Sequence, residues 1–555
     1  MISEWTIVDF LHTGPWWKNR RLLALNLWLL LPLMTSTTNG LDMSLLNGLQ
    51  ILPEWQKYYG FPKGKVLGVI NSAQFIGGLF ALPVAPLLAD GIGRRGTLFI
   101  GSLIMLCGVA VQAMSFNVPM FIAARIIVGL GIQTCTIASP LLLIELSYPT
   151  HRGKITSMYN STWYLGSIIS AWVCFAAYNH AAGSVWTWRI PTLVQALVPV
   201  VQVLSVWFMP ESPRYLVSKG LQGKAAKILA QYHTKGGDED DPLVVFELAQ
   251  IRHAIRMEEE ISQTTTWKTL FATPGNRKRM RIIIAISVFS QWSGNGLVSY
   301  YINLILEGVG IDDTKTKAAI NGGLQVFNYI IAITAAMSVD WIGRRPLFIL
   351  SNLGMLFAFS GWTVSNALYN TLGSATAAKA TIPLIFLFFF FYDIAYTPML
   401  VAYTLEILPY KTRARGFAVM SIVVMATAAF NQFVNPWAIQ AIGWWYYLVY
   451  CGWLVGEFIF VVTFIVETKG RTLEETAMLF DGTQHIDDLA AMGGDAAHTR
   501  MRLNRRSALS IASTNPEKDH QHIEYHGLVL PNKSSQRFSA AVTVSDYDNE
   551  TVVNR

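Results

Sequence analysis

Charge is what this sequence has least of. Only 14% of its 555 residues are charged and 52% are hydrophobic, whereas an ordinary soluble domain carries roughly 25% charged residues. A chain of this length with so little charge cannot cover a globule with polar side chains. The composition therefore excludes an ordinary soluble protein.

The sequence also lacks the common patterns of catalytic, metal-binding and disulfide-rich proteins. It contains no H-E-x-x-H, no C-x-x-C and no phosphate-cradling G-x-x-x-x-G-K-[ST] motif. The four cysteines lie inside long apolar runs, so no disulfide framework is indicated. We expect no enzyme, no cofactor and no metal site. The cysteines are Cys107, Cys135, Cys174 and Cys451.

Long apolar runs dominate what is present. Each is about 20 residues long, enough to cross a hydrocarbon core of about 30 Å, and lipid tolerates no open sheet edge, so each is predicted to be a helix. The first run is too long for a cleavable signal peptide. The predicted fold is an all-α integral membrane protein with twelve transmembrane helices. The spans lie near 22–49, 66–88, 97–115, 119–142, 155–178, 190–209, 282–306, 318–339, 347–367, 382–405, 416–438 and 444–466.

Lys and Arg concentrate on one side of the predicted bundle. "WWKNRR" precedes the first span, and "GRRG", "HRGK", "GRRP" and "KTRARG" follow spans two, four, eight and ten. Such segments lie on the cytosolic side, which also places both termini there. The net charge of +7 then reports membrane topology, and we expect no nucleic-acid partner.

Three charged signatures occur twice in the same order. "DGIGRRGTLF" returns as "DWIGRRPLFI", a Glu seven residues before an Arg occurs at 145 and again at 406, and "PESPRYL" at 210–216 corresponds to "VETKGRTLEE" at 466–475. The offsets are 250, 261 and 256 residues, which predicts two six-helix halves. The predicted parts are a cytosolic N-terminus (1–21), a first half (22–209), a helical cytosolic linker (210–281), a second half (282–466) and a tail (467–555) that is disordered beyond about 482.

The repeated charges suit a cytosolic gate. Acidic and basic side chains at the ends of the spans can pair in one conformation and separate in another, as rocking halves require. Each exposed ion pair contributes only about 0–1 kcal/mol of stability, which suits contacts that must break when the gate opens. The alternative is that these charges only mark membrane topology. The predicted gate residues are Asp90, Arg94, Arg95, Glu145, Arg152, Glu211, Arg214, Asp340, Arg344, Arg345, Glu406, Arg413, Glu467 and Arg471.

Together these motifs resemble the sugar porter branch of the major facilitator superfamily. The resemblance covers about residues 20 to 480, and segment 210–281 is similar to the intracellular helical bundle of that family. It implies a sugar transporter with the major facilitator fold. Its partners would be a small sugar, protons and the lipid bilayer.

Two charges inside the spans carry the prediction of proton coupling. Asp42 lies in the first span and Arg125 in the fourth, where a charge is costly and usually faces a cavity or a partner. The resemblance implies that Asp42 is the protonation site and that Arg125 responds to it; a permanent structural ion pair is the alternative. Asp393 is a further mid-span carboxylate. It can bind sugar hydroxyls, shift the pH dependence, or sit protonated against Tyr392 or Tyr396.

Amides and tyrosines inside the spans are the predicted sugar ligands, because a sugar needs hydrogen-bonding groups and apolar faces. In the seventh span, Gln291, Gly294, Tyr300 and Tyr301 match the family motif. Ser290 and Gly296 replace its first Gln and its Asn. The predicted substrate-binding residues are Asn160, Gln291, Asn295, Tyr300, Tyr301, Asn328, Asn431 and Asn435, with Gln432 as a further polar candidate. A buried amide that only joins two helices is the alternative for Asn431 and Asn435.

The departures from the motif favour a large sugar. Ser290, Gly296, Asn160 and Val401 are all smaller than the residues that the family pattern has there, which predicts an enlarged pocket. "NGLDMSLLNGLQ", "QWSGNGLVSYY" and "FNQFVNPWA" resemble the fungal lactose permease and cellodextrin transporter subgroup. The prediction is a disaccharide:proton symporter of lactose or cellobiose type in the plasma membrane. The alternatives are a hexose or pentose transporter, either symporter or facilitator, and a non-transporting sugar sensor.

The polar tail offers candidate regulatory sites. Ser507 and Ser510 are possible phosphorylation sites and Lys518 is a possible ubiquitination site. We therefore expect contacts with a kinase or a ubiquitin ligase. A tail of this kind fits a sensor, and it fits the endocytic turnover of an ordinary transporter equally well.

Overall fold

The computed structural model describes residues 16–234, 236–264, 266–469, 476 and 479–480. All regular structure in these residues is helical. Some predicted features lie outside the described residues or have side chains that are not described. The tail beyond 482 with Ser507, Ser510 and Lys518 is outside, as is Arg471, and the side chains of Arg152, Asn160 and Asp340 are not described.

The first half begins with a long helix that is capped by its own neighbour in sequence. The side chain of Asn19 accepts a hydrogen bond from the backbone N–H of Arg21 (3.1 Å), which satisfies a donor that the first helical turn leaves free. The helices of this half are α1 (Arg20–Ile51), α2 (Pro53–Tyr58), α3 (Gly64–Ile92), α4 (Arg94–Ala113), α5 (Val118–Leu146), α6 (Arg152–Ala181), α7 (Trp186–Val194) and α8 (Leu197–Ser205).

Four helices in the described residues connect this half to the second one. They are α9 (Pro213–Ser218), α10 (Gln222–His233), α11 (Pro242–Thr264) and α12 (Thr269–Ala272). The second half contains α13 (Pro274–Trp292), α14 (Asn295–Glu307), α15 (Thr314–Ile342), α16 (Arg344–Leu372), α17 (Ala375–Asp393), α18 (Tyr396–Ile407), α19 (Tyr410–Ile442) and α20 (Trp445–Phe464). A break at Gly294, whose φ is 103°, separates α13 from α14 within one span.

Eleven helical segments in the described part of the chain are long and apolar enough to cross a membrane. They coincide with eleven of the twelve predicted spans. The fifth predicted span is α6, a helix of 30 residues whose many Ser, Thr and Asn side chains lower its hydropathy. Since α6 packs between α1 and α15, much of its surface faces protein and not lipid. Its polarity follows from that position.

Both copies of the repeated "GRR" turn need glycine. Gly93 and Gly343 have φ values of 93° and 105°, a left-handed conformation that side chains with a Cβ disfavour. At Gly93 a Cβ would also come within 2.4 Å of Glu211 Oε2. We call the end of the helix bundle that holds these two turns the basic end, and the other the opposite end.

The two halves meet along α3 with α19, α6 with α15, and α1 with α14. Polar contacts join them near the opposite end. Asn47 donates to Asn321 (3.1 Å) and Lys65 lies 5.0 Å from the ring centroid of Trp437. At Gly68 a Cβ would come within 2.5 Å of the Phe433 carbonyl oxygen. Backbone contact this close holds the halves together at that end.

Candidate functional site

Asp42 and Arg125 meet at the centre of the first half. Arg125 Nη1 lies 2.8 Å from Asp42 Oδ1, and the exposed fractions of the two side chains are 2% and 0%. The second guanidinium nitrogen, Nη2, donates to Gln74 Oε1 on α3. Asp42 Oδ2 is buried and has no hydrogen-bond partner in the described chain. Arg125 thus has one charged and one neutral acceptor.

Asp393 lies elsewhere and has partners that the sequence did not indicate. Its Oδ1 accepts hydrogen bonds from Tyr164 Oη (2.7 Å) and Thr397 Oγ1 (2.6 Å). A contact with Tyr392 or Tyr396 was one of three alternatives for Asp393; the hydrogen bonds to its Oδ1 come instead from Tyr164 and Thr397. Because α17 ends at Asp393, the chain turns there and presents the carboxyl group to α6 of the first half.

The predicted amides of the seventh span stabilise the helix break at Gly294. Asn295 Nδ2 donates to the Ser290 carbonyl oxygen (3.0 Å) and approaches the hydroxyl of Tyr392 (3.0 Å). Tyr392 in turn donates to the same carbonyl (2.7 Å). Gln291 donates to the Ser290 hydroxyl (3.2 Å). Asn295 and Tyr392 thus both bind the Ser290 carbonyl oxygen beside the break, although Asn295 Oδ1 is left without a partner in the described chain.

Asn431 and Asn435 of α19 are tied to tyrosines of α20. Tyr450 donates to both side-chain carbonyls (2.9 and 2.7 Å), and Tyr446 donates to Asn435 (2.9 Å). Asn431 also donates to the Gln291 carbonyl oxygen. In this conformation the side chain of Asn431 therefore joins α19 to α13 and α20.

The space at Gly296 is already filled. A Cβ at this position would lie 2.6 Å from Asn431 Nδ2. The amide that the family motif places on α14 has a counterpart here, supplied from α19. In this conformation Gly296 therefore adds no space on the side that faces Asn431.

The tyrosines and the remaining amides occupy different environments. Tyr301 is fully buried and donates to the Gln432 carbonyl oxygen (2.6 Å), so it joins α14 to α19. Tyr300 is less buried, with its hydroxyl 3.5 Å from Met43 Sδ across the two halves. Asn328 is 2% exposed and its Oδ1 has no partner in the described residues. Tyr300 and Asn328 are thus better placed than Tyr301 to meet a ligand.

At the basic end of the first half, Arg94 binds two carboxylates. Its side chain lies 3.1 Å from Glu145 and 3.2 Å from Asp90. Arg94 and Glu145 are only 11% and 7% exposed. The free energy of about 0–1 kcal/mol that is typical of exposed ion pairs therefore does not apply to this pair. Glu211 accepts from the backbone N–H of Arg95 (3.2 Å).

The second half repeats this arrangement. Arg344 binds Glu406 (2.8 Å), and Glu467 accepts from the backbone N–H groups of Arg344 and Arg345 (both 3.0 Å). Arg345 donates its side chain to the Val462 carbonyl oxygen (2.9 Å). Each of these bonds joins residues of one half.

Four predicted gate residues have partners that the prediction did not name. Glu211 and Glu467 bind backbone N–H groups at the starts of α4 and α16, where a helix N-terminus favours negative charge, and not an arginine side chain. Arg214 pairs with Glu258 of α11, and Arg413 donates to the Leu408 carbonyl oxygen (3.4 Å).

The two capping carboxylates differ electrostatically. Burial raises the pKa of Glu211, and backbone hydrogen bonds from Ser212 and Arg95 only partly offset it. Glu467 is less buried; burial acts to raise its pKa as well, but backbone N–H donors outweigh it and hold the pKa below its ordinary value. The two repeats are therefore alike in geometry, whereas the pKa values of their capping carboxylates are shifted in opposite directions.

Sequence reasoning missed Gln74, Tyr164 and Thr397. Gln74 could have been found from the sequence, since an amide inside an apolar span needs a hydrogen-bond partner. Nothing in the sequence around Tyr164 distinguishes it from a lipid-facing tyrosine. A surface cavity of about 500 Å³ near the opposite end contains none of the predicted sugar ligands; it is lined by Phe175, Asp313, Lys315, Thr316, Ala319, Ile320, Gly323, Ile382 and Phe386.

Comparison with known proteins gives one family over most of the chain. Residues 28–480 match the family described as "Sugar (and other) transporter". Similar proteins include the probable metabolite transport protein CsbC of Bacillus subtilis, 28% identical over 74% of this chain and 85% of its own. The low-affinity glucose transporter HXT1 of Saccharomyces cerevisiae is 27% identical over 74% of this chain and 72% of its own.

Solved structures show the same fold. The xylose transporter XylE from E. coli in its inward-open conformation has a TM-score of 0.68, at 20% identity, covering 82% of this chain and all of that one. The proton:xylose symporter XylE bound to 6-bromo-6-deoxy-D-glucose has a TM-score of 0.63, at 20% identity over 82% of this chain and 99% of that one. The architecture described above is thus the fold of these transporters.

Proposed function

This chain belongs to the sugar transporter family, and from that premise we propose that it imports a disaccharide together with protons by alternating access. It is an integral membrane transporter and not an enzyme. The observation that carries proton coupling is the buried contact of Asp42 with Arg125 and Gln74. The solved neighbour whose fold it shares is itself described as a proton:xylose symporter.

The energetics of this contact support proton coupling. Two charges out of water are costly unless they are well paired, and Arg125 has a second acceptor in Gln74. When Asp42 takes up a proton, the ion pair is lost while the bond from Arg125 to Gln74 remains. Protonation therefore changes what joins α1 to α3 and α5. A permanent structural pair is the competing reading.

Alternating access is supported by how differently the two ends of the bundle are joined. Near the opposite end the halves touch through Asn47–Asn321 and Lys65–Trp437, whereas the Arg94 and Arg344 ion pairs at the basic end lie within single halves. We place the basic end and both termini in the cytosol, because Lys and Arg concentrate there. We place the protein in the plasma membrane, with the tail open to a kinase or a ubiquitin ligase.

The proposed substrate is a disaccharide of lactose or cellobiose type. Ser290 and Val401 are smaller than the residues of the family pattern, which supports a larger pocket, while Asn431 fills the space at Gly296. A hexose or pentose is the second candidate, favoured by relatives that are named glucose transporters. A non-transporting sensor would show no uptake at all.

Uptake of radiolabelled lactose, cellobiose and glucose into yeast lacking its own sugar transporters tests this function. Wild type is compared with Asp42→Asn and with Asp312→Asn, an exposed carboxylate in the connection between α14 and α15 that serves as the control. We expect concentrative disaccharide uptake that a protonophore and Asp42→Asn abolish and that Asp312→Asn leaves nearly unchanged. Uptake of glucose alone would overturn the disaccharide assignment, and uptake indifferent to pH and protonophore would make the protein a facilitator.

A further inference from the structure

We propose that Asp393 and Tyr164 form a hydrogen-bonded tie between the two halves, and that a proton on Asp393 stabilises the tied arrangement. The proposal rests on the alternating-access transport proposed above. It makes Asp393 a second proton site, and it makes Tyr164 the residue through which that site acts on the position of the halves.

The contact crosses the interface between halves. Asp393 ends α17 in the second half, and Tyr164 lies in the middle of α6 in the first. Oδ1 of Asp393 accepts from Tyr164 Oη at 2.7 Å and from Thr397 Oγ1 at 2.6 Å. The two hydroxyl oxygens are 3.3 Å apart, so the three groups form one compact cluster. Tyr164 supplies its bond from the other half, and Thr397 supplies its bond from the same half.

The surroundings of Asp393 favour the neutral acid. The side chain is fully buried, and its Oδ2 has no hydrogen-bond partner in the described part of the chain. None of the ion pairs among the described residues involves Asp393. The titratable groups that face it are the phenols of Tyr164 and Tyr392, which are neutral. An ionised carboxylate without a cation is costly at this depth, so the carboxyl group keeps its proton here.

Rocking of the halves breaks the tie. When α6 moves away from α17, Tyr164 leaves Asp393, and the carboxyl group becomes reachable by water that can solvate its charge. The proton therefore stabilises the tied arrangement, and its release accompanies separation. The Asp42 site differs, because Asp42, Arg125 and Gln74 all belong to the first half and do not bridge the interface.

The test measures the position of the halves and not transport. Spin labels on Ala182→Cys and Thr371→Cys, two exposed positions at the opposite end of different halves, report the distance between them by double electron–electron resonance. The exposed native thiol of Cys107 is replaced by serine. The full chain is measured in nanodiscs without sugar, at about pH 5.5 and about pH 8, in an Asp42→Asn background that silences the first site.

Acid is expected to raise the ratio of the short-distance to the long-distance population by at least about fivefold, the lower end of usual coupling strengths. Asp393→Asn should keep the short-distance population high at both pH values. Tyr164→Phe should lose the pH response and lower the short-distance population at acid pH. Thr397→Val removes an equally short bond to the same oxygen within one half, so it should keep the response and serves as the matched control.

Four results would overturn the tie. They are no pH response in the Asp42→Asn background, a response that survives Asp393→Asn, a response that survives Tyr164→Phe, and a loss that is equal in Thr397→Val and Tyr164→Phe. Failure of the proposed function looks different, because absent or uncoupled sugar uptake would leave these distance measurements unaffected.

Discussion

Replacing Arg125 by methionine, with Asp42 left in place, is expected to destabilise the folded transporter strongly. The change removes the 2.8 Å bond to a carboxylate that is 0% exposed and leaves Gln74 without its guanidinium donor. Breaking a buried pair by removing one partner costs about 3–5 kcal/mol, because the remaining charge is uncompensated. The whole loss should appear only at alkaline pH, because a buried carboxyl group without a cation takes up a proton at lower pH.

The double variant Asp42→Asn/Arg125→Met separates the charge from the packing. It leaves no buried charge, so it should recover most of the stability that Arg125→Met loses. Acid should also reduce the loss in the single variant, because a proton on Asp42 removes the uncompensated charge. Thermal unfolding in detergent, followed by size exclusion of a fluorescent fusion, measures both effects. An Arg125→Met protein as stable as wild type, or a double variant no more stable than the single one, would refute the reasoning.

Three further changes test the turns, the filled pocket and the capping carboxylates. Gly93→Ala should lower the free energy of unfolding by about 1–3 kcal/mol, because φ is 93° and the added Cβ would clash with Glu211 Oε2. Gly91 has open space around it, so Gly91→Ala should be tolerated in the same thermal assay. Gly296→Ala should displace the α19 amide that lies 2.6 Å from its Cβ and cost about 1–3 kcal/mol, with weaker sugar uptake at equal surface expression. Burial raises the pKa of Glu211 above its ordinary 4.5. As the pH falls toward 4.5, the folded state binds this proton at a higher pH than the unfolded state does, so the free energy of unfolding increases. Glu211→Gln should abolish that gain, and an unchanged dependence of melting temperature on pH would contradict it.

Much of the fold could be predicted because hydrophobic length and paired charges are local properties of the sequence. Eleven predicted spans coincide with apolar helices, and the repeated "GRR" turns have nearly equal backbone angles at Gly93 and Gly343. The polarity of α6 has no such local explanation, since it depends on which helices lie beside it. The same limit applies to side-chain partners.

The contacts of the candidate site could be predicted where two opposite charges lie inside apolar spans. They could not be predicted where neutral side chains bind one another. Asp42 and Arg125 are single charges inside apolar spans, and neither is tolerated alone. Their presence therefore predicts that the two side chains form a pair. Nothing local indicates that Asn431 fills the space at Gly296, or that Tyr164 reaches Asp393, because those contacts join segments distant in sequence. The preference of Glu211 for backbone N–H groups was missed for the same reason.

Sugar-driven proton entry tests the central claim most directly. Purified protein is reconstituted into liposomes that enclose a pH-sensitive dye, and the sugar identified by the uptake assay is added outside. The account predicts that the sugar acidifies the interior with wild type. It also predicts that Asp42→Asn exchanges labelled sugar across the membrane without acidification. Sugar entry through wild-type protein that leaves the interior pH unchanged would contradict proton coupling and make the Asp42–Arg125 contact a structural pair.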